Sequence, residues 1–160
     1  MLRKYILHDH PVPVTPGPEE KDIATLATVF VTSEMTDAPI DHAFDHQRGP
    51  GGSRWVAGDE GEQQIVLVFD TPQTIRTIRL EIEEREVSRT QELHLSVRQA
   101  GTQAYRELLR QEYHFSPPGT TFEREEWTVT AEAITHLQLV IKPDKGGQPS
   151  RATLTSLVLQ

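Results

Sequence analysis

The chain contains no cysteine in its 160 residues. Disulfide staples, thiolate nucleophiles and thiolate zinc sites are therefore excluded together. It also lacks any run approaching the ~20 apolar residues that a membrane-spanning helix needs. Positive charge is in deficit: 16 Lys and Arg stand against 24 Asp and Glu, giving a formal charge of -8 and a pI near 5.3. Non-specific attachment to nucleic acid or to anionic lipid needs a positive field, so neither partner is expected. Walker, dinucleotide and nucleophile-elbow patterns are missing, and Ser33, Ser53 and Ser88 sit in none of them. Residues 1–10 carry two basic side chains but no apolar core of signal-peptide length, because His8, Asp9 and His10 interrupt it. Together with the missing cysteines, this makes a cytoplasmic location the expectation.

What remains is the composition of a globular domain. Hydrophobic residues make up 36%, charged residues 25%, and mean hydropathy is -0.50. That is enough apolar material for one domain with a proper core. Residues 2–8 read as a short strand, and Pro11, Pro13, Pro16 and Pro18 as a stiff extended connector. Asp22 caps a helical turn over 23–26, and the β-branched stretch 27–32 reads as strand.

Further strands follow from alternation. Ile65, Leu67 and Phe69 point one way and Val66 and Val68 the other, so this strand is apolar on both faces and should be central. Asp70-Thr71-Pro72-Gln73 reads as a turn. Ile78, Leu80 and Ile82 alternate with Arg79 and Glu81; Leu93, Leu95 and Val97 do so with His94, Ser96 and Arg98. A charged loop, 83–90, separates those two sets. Residues 105–115 have a composition (Glu, Leu, Arg, Gln) that also suits a helix, but read as strand because 91–99 needs a hairpin partner, and Ser116-Pro117-Pro118-Gly119 makes a turn. Strands at 122–130, at 137–141 and at 153–159 complete the set. About nine short strands with turn signals between them predict an antiparallel β-sandwich.

The most informative stretch is 28–69. A strand ending in Val31-Thr32-Ser33-Glu34 leads into a long loop, Pro39-Ile40-Asp41-His42-Ala43-Phe44-Asp45. The glycine-rich turn Gly49-Pro50-Gly51-Gly52-Ser53-Arg54-Trp55 follows, and Gln63-Gln64-Ile65-Val66-Leu67-Val68-Phe69 emerges from it. Large aromatics in such a loop, Phe44 and Trp55, suit a segment that folds over and plugs one end of a sandwich.

This order of features resembles the discoidin domain, or coagulation factor 5/8 C-type domain, of the galactose-binding-like superfamily. Ile134-Thr135-His136-Leu137-Gln138-Leu139-Val140-Ile141 and Leu154-Thr155-Ser156-Leu157-Val158-Leu159 are similar to its last two strands. The resemblance covers 25–160 and leaves 1–24 as an N-terminal strand and connector beside the domain. It implies an all-β, jelly-roll sandwich whose end loops bind sugars, phospholipid head groups or protein partners, without catalysis. Some members hold calcium after the Phe-Asp pair. Here His46 and Gln47 follow Phe44-Asp45, so Asp45 is either a metal ligand together with Asp41 or a cap for its own loop.

Other chemistry is weighed residue by residue. The pairs His8/His10 and His42/His46 have spacings that place two rings on one face, with Asp9, Asp41 and Asp45 nearby, but no third ligand at fixed spacing. Tyr113, His114 and Phe115 are candidate exposed rings, and Trp55 and Trp127 are core candidates. Glu81, Glu83, Glu84 and Glu86 read as a solvated edge, not as paired catalytic carboxylates. The loops lack apolar spikes, so membrane docking is not expected.

The expectation is a non-enzymatic module that binds a carbohydrate or related small polar ligand. Its ligand-binding residues would be His42, Arg48, Arg54 and Arg89, with the 142–151 loop beside them. An intracellular protein-interaction adaptor is the alternative reading.

Overall fold

The computed structural model describes residues 19–160. The strand expected at 2–8, the proline connector over 11–18, and His8, Asp9 and His10 lie outside them. Elements follow in order: a helical turn α1 (Ile23–Leu26), β1 (Ala27–Val31), a 3-10 turn (Ile40–Phe44), β2 (Trp55–Val56), β3 (Gln63–Glu83), β4 (Arg89–Gln99), β5 (Arg106–Phe115), β6 (Phe122–Lys142), β7 (Thr153–Leu154) and β8 (Ser156–Leu159). Asp22 occupies the cap position of α1, but its backbone carbonyl, not its carboxylate, accepts from Thr25 and Leu26. Ile23 is buried in the core, so the packed unit begins before residue 25.

Two strands belong to both layers. The first half of β3 pairs with β1 (Val29 opposite Leu67) and with the second half of β6 (Leu67 opposite Leu137). That half of β6 pairs with β4, and β4 with β5, giving one layer in the order β1-β3-β6-β4-β5. The second half of β3 pairs with the first half of β6 (Ile78 opposite Trp127) and with β8 (Leu80 opposite Leu157), giving the other layer, β6-β3-β8. All these pairings are antiparallel.

The crossing between layers corrects two expectations. Asp70-Thr71-Pro72-Gln73 does not reverse the chain; β3 continues through it, with register shifts between Val68 and Thr77. Pro72 has no N–H to give the ladder, so pairing lapses there and the strand bulges and bends. The strands expected at 122–130 and 137–141 are likewise one bent strand, β6, whose irregularity includes Ala133 at φ 55°. The charged loop also shrinks to 84–88, because β3 runs to Glu83 and β4 starts at Arg89.

Alternation fills the space between the layers. Ile65, Leu67, Ile78, Leu80, Leu93, Leu95, Leu137, Leu139 and Ile141 are fully or almost fully buried. Each such side chain contributes about 1.5–3 kcal/mol by leaving water. Trp127 packs on this core from the edge. Tyr113 and Phe115, expected as exposed rings, are buried instead. They alternate onto the inner face of β5 while His114 between them points outward. Burial raises the Tyr113 phenol pKa, and the carboxylates of Glu125 and Glu123 push it further the same way.

Leu139→Ala, in the second half of β6, is expected to lower unfolding stability by about 2–5 kcal/mol through a lost side chain and the cavity it leaves. Val140→Ala, its half-buried neighbour on the outer face, should cost clearly less. Urea unfolding of the two variants checks this; equal losses would contradict the layer assignment.

Candidate functional site

The loops 33–62, 84–88 and 143–152 gather at one end of the sandwich and enclose an open cleft of about 830 Å³. Its position depends on how the first loop is fastened. Trp55 is fully buried and its indole Nε1 donates to the Ser33 carbonyl at 3.0 Å. Phe44 is half-buried and packs on the core, so the two rings form the expected inward plug. β2 pairs with β7 through Trp55–Leu154 and Val56–Thr153, which ties the loop to the C-terminal segment. Gly58 lies so close to residue 34 that an added Cβ would meet the Glu34 carbonyl oxygen at 2.7 Å.

The glycine turn is held by buried carboxylates. Glu81 and Glu83 are each only 2% exposed. Glu81 accepts from the Gly49 N–H at 3.3 Å and Glu83 from the Gly51 N–H at 2.9 Å, while Arg85 pairs with Glu83. This corrects the reading of these residues as a solvated edge: on the outer face of β3 they are roofed by the loop they anchor. Gly49 and Gly51 both have φ above +80°, a backbone region that favours glycine.

Of the ligand-binding candidates, the structure brings two to the cleft. His42 and Arg54 both line it. The Arg54 carbonyl can only accept, so His42 Nδ1 is the donor in the 3.2 Å contact, and in the neutral ring Nε2 is left as an acceptor. The Arg54 guanidinium has no partner among the described residues.

The other two lie elsewhere. Arg48 pairs with Glu20, which also faces His46 and Arg79, outside the cleft. Arg89 is 4% exposed and serves as a strut under the cleft floor. It donates from Nε to Glu84 at 2.7 Å, from Nη1 to Gln91 and to the Pro143 carbonyl at 2.7 Å each, and from Nη2 to Thr153 at 3.0 Å. Its guanidinium also lies 5.7 Å from the centre of the Phe115 ring. Such a committed guanidinium is not a ligand contact, and Arg89 as a binding residue is corrected to a structural one. Missed residues of the cleft include Met35 and Val87, whereas Arg151 belongs to the 142–151 loop expected beside the site. Nothing in the local pattern of Met35 or Val87 marks them, because the fold alone brings their loops together.

The metal reading does not fit these residues. Asp45 accepts from the Gln47 N–H at 3.0 Å and from the Ser53 hydroxyl, the bonds of a loop cap. Asp41 is exposed, and His42 and His46 face different neighbours. Among the described residues no group of three or more His, Asp or Glu is placed to hold a metal ion. A calcium ion needs six to eight oxygens, which this set does not converge to supply.

No family model matches the sequence, and no curated protein does. Solved structures do resemble the fold. A family 32 carbohydrate-binding module from a family 31 glycoside hydrolase of Clostridium perfringens matches with a TM-score of 0.61 at 15% identity, over 88% of this chain and 93% of that one. The family 32 module of C. perfringens NanJ, solved with galactose, matches with a TM-score of 0.55 at 14% identity, over 88% and 96%. A pectin-binding module matches with a TM-score of 0.54 at 16% identity, over 85% and 91%. The fold is thus a β-sandwich of the kind seen in these carbohydrate-binding modules, as the discoidin resemblance implies.

Charge beneath the cleft gives a test of the Arg89 strut. Burial works to raise the Glu84 pKa, but the hydrogen bond and charge of Arg89 and the N–H groups of Glu86 and Val87 outweigh it, holding the carboxyl below its ordinary 4.5. The Thr90 N–H foremost, then the N–H groups of Gln148 and Gly146 and the Arg89 charge, hold Asp144 below 3.8 against the effect of burial. A lowered folded pKa stabilises above the unfolded value and ceases to as pH falls through the folded one. Stability is therefore expected to decline on acidification from about pH 4.5 downward. Arg89→Met should cost about 3–5 kcal/mol at neutral pH by stranding buried partners, and should flatten that acid slope. Urea melts of both proteins between neutral and acid pH measure the two effects.

Proposed function

We propose that the protein is a non-catalytic binding module that takes a carbohydrate in the cleft at the loop end of the sandwich. The observation that carries this reading is the placement of His42 and Arg54 together on an open polar cleft of about 830 Å³. That size lies within the ~300–1,000 Å³ usual for small-ligand sites. A saccharide offers hydroxyls that both donate and accept. His42 Nε2 is an acceptor for one, and the Arg54 guanidinium supplies donors for others. Met35, Val56, Val87 and Pro149 supply apolar surface for the C–H faces of a sugar. Among the described residues no Phe, Tyr or Trp lines the cleft, so recognition rests on directed hydrogen bonds, not on stacking against a large ring. The similarity of fold to modules solved with galactose and described as pectin-binding supports the same reading.

The burial of Glu81 and Glu83 and the commitment of Glu84 to Arg89 support a binding role over a hydrolytic one. Two carboxyls facing each other across a bound glycosidic bond are what hydrolysis needs. Here Glu83 is held by Arg85 and a backbone N–H, and Glu84 by Arg89.

A protein partner is the second reading, and one feature favours it: Phe30, 58% exposed on β1. It lies on the outer face of the larger layer, opposite Val66, away from the cleft. Glycan-array screening followed by calorimetry separates the two. His42→Ala and Arg54→Ala are each expected to weaken saccharide binding about tenfold or more, as lost hydrogen bonds to charged or oriented groups do. Phe30→Ser should leave it unchanged. No binding to any sugar on the array would overturn the carbohydrate reading.

A further inference from the structure

We infer that the saccharide this cleft selects carries a carboxylate, and that Arg54 reads it. The inference rests on the carbohydrate reading above and names the class of sugar within it. It begins from an imbalance. The chain holds 24 acidic against 16 basic residues, so carboxylates are plentiful. Even so, Arg54, a half-buried residue, has no carboxylate or other acceptor for its guanidinium among the described residues.

Three acids of the surrounding loops and strand end are already taken. Glu83 is bound by Arg85 and the Gly51 N–H, and Glu84 by Arg89 Nε at 2.7 Å. Asp45 is bound by Ser53 and Gln47, the neighbours of the same turn. These three carboxylates are thus held by other donors, and the remaining acids of the cleft, Asp37, Glu60 and Glu86, are exposed and form no ion pair with Arg54, which lines the same cleft.

A guanidinium presents five N–H donors in a planar fork whose spacing fits the two oxygens of a carboxylate. A neutral sugar offers no such pair of charged oxygens. A uronic acid does, with its hydroxyls left over for His42 Nε2. Arg151 lines the same cleft from the opposite loop, held by the carbonyls of Ala57 and Gly58, and adds a second positive charge with no acid partner.

Acids at the rim oppose this, and they make the inference sharper. Asp37, Glu60 and Glu86 line the cleft, are exposed, and repel an anion. Solvated charges are screened beyond about 8 Å at physiological salt, whereas a direct fork on a half-buried arginine is screened much less. Neutralising a rim acid should therefore strengthen binding of a charged sugar and leave a neutral one alone.

The experiment is calorimetry with trigalacturonate and with its methyl ester, which keeps the shape and removes the charge. The acid is expected to bind at least tenfold more tightly than the ester. Arg54→Met should abolish that preference while leaving weak binding of the ester, and Arg54→Lys, which keeps charge without the fork, should restore only part of it. Asp37→Asn should tighten the acid severalfold and not the ester. Thermal melts establish that each variant is folded. Equal affinity for acid and ester, or a preference that survives Arg54→Met, overturns the inference and leaves the carbohydrate reading standing if neutral sugars bind. Failure of acid, ester and neutral sugars alike overturns both.

Discussion

Everything in this molecule depends on the long antiparallel pairing of β3 with β6. Each of these 21-residue strands is continuous. Their first and second halves exchange partners across the bulges, so one pair of strands belongs to both faces of the sandwich. The hydrogen-bond ladder thereby fixes the separation of the layers as well as the order within each. A two-layer protein with separate sheets holds its layers together by side-chain packing alone. Here the backbone does part of that work, and the irregular stretch around Pro72 and Ala133 is the corner that permits it.

The rigid body built this way holds its loops through buried charge. Glu81 and Glu83 extend from the outer face of β3 and bind N–H groups of the glycine turn, while Arg89 opens β4 and binds Glu84, Gln91, Pro143 and Thr153. Two loops and the C-terminal ribbon are thus fastened to the start or end of a core strand. Buried charges of this kind add little net stability, since desolvation offsets most of the attraction. Their effect is on position. Losing one partner strands the other in a poorly solvated place, so alternative loop arrangements lie far higher in free energy.

The parts legible in the sequence and the parts hidden from it divide along this same line. Ile65, Leu67 and Phe69 announce a core strand because alternation is local: burial of one predicts burial of the next but one. Phe44 and Trp55 are legible as a plug because large rings in a loop have few other uses. Arg89 is not legible. A charged residue in a polar stretch looks the same whether it points outward or inward, and its partner Thr153 is 64 positions away. Glu81 and Glu83 mislead for a further reason: their acceptors are answered by backbone N–H groups 32 positions earlier, and a backbone donor carries no residue identity. Pro72 misleads in the opposite sense, since its turn signal is real but the surrounding β-branched residues carry the strand past it. The cleft itself has no local signature, because it comes from three loops brought together by sheet order.

Fixed loops bear directly on what the cleft can do. Ordering a flexible loop on binding costs about 1–2 kcal/mol per residue, and that cost is largely absent where buried contacts have already set the backbone. A saccharide seated here would lose the water on its hydroxyls and meet His42, oriented by the Arg54 carbonyl, and the Arg54 guanidinium, without a Phe, Tyr or Trp platform to add area. Such a site gains little from contact area and much from direction. A sugar whose hydroxyl points the wrong way leaves a desolvated donor or acceptor unpaired, at a cost of about 1–3 kcal/mol. Stacking on a ring would forgive that error, because the flat face of one hexose is much like another's. A cleft lined by directed polar groups on loops pinned by buried contacts does not forgive it, so the proposed carbohydrate role carries with it discrimination between sugars over tight binding of any one.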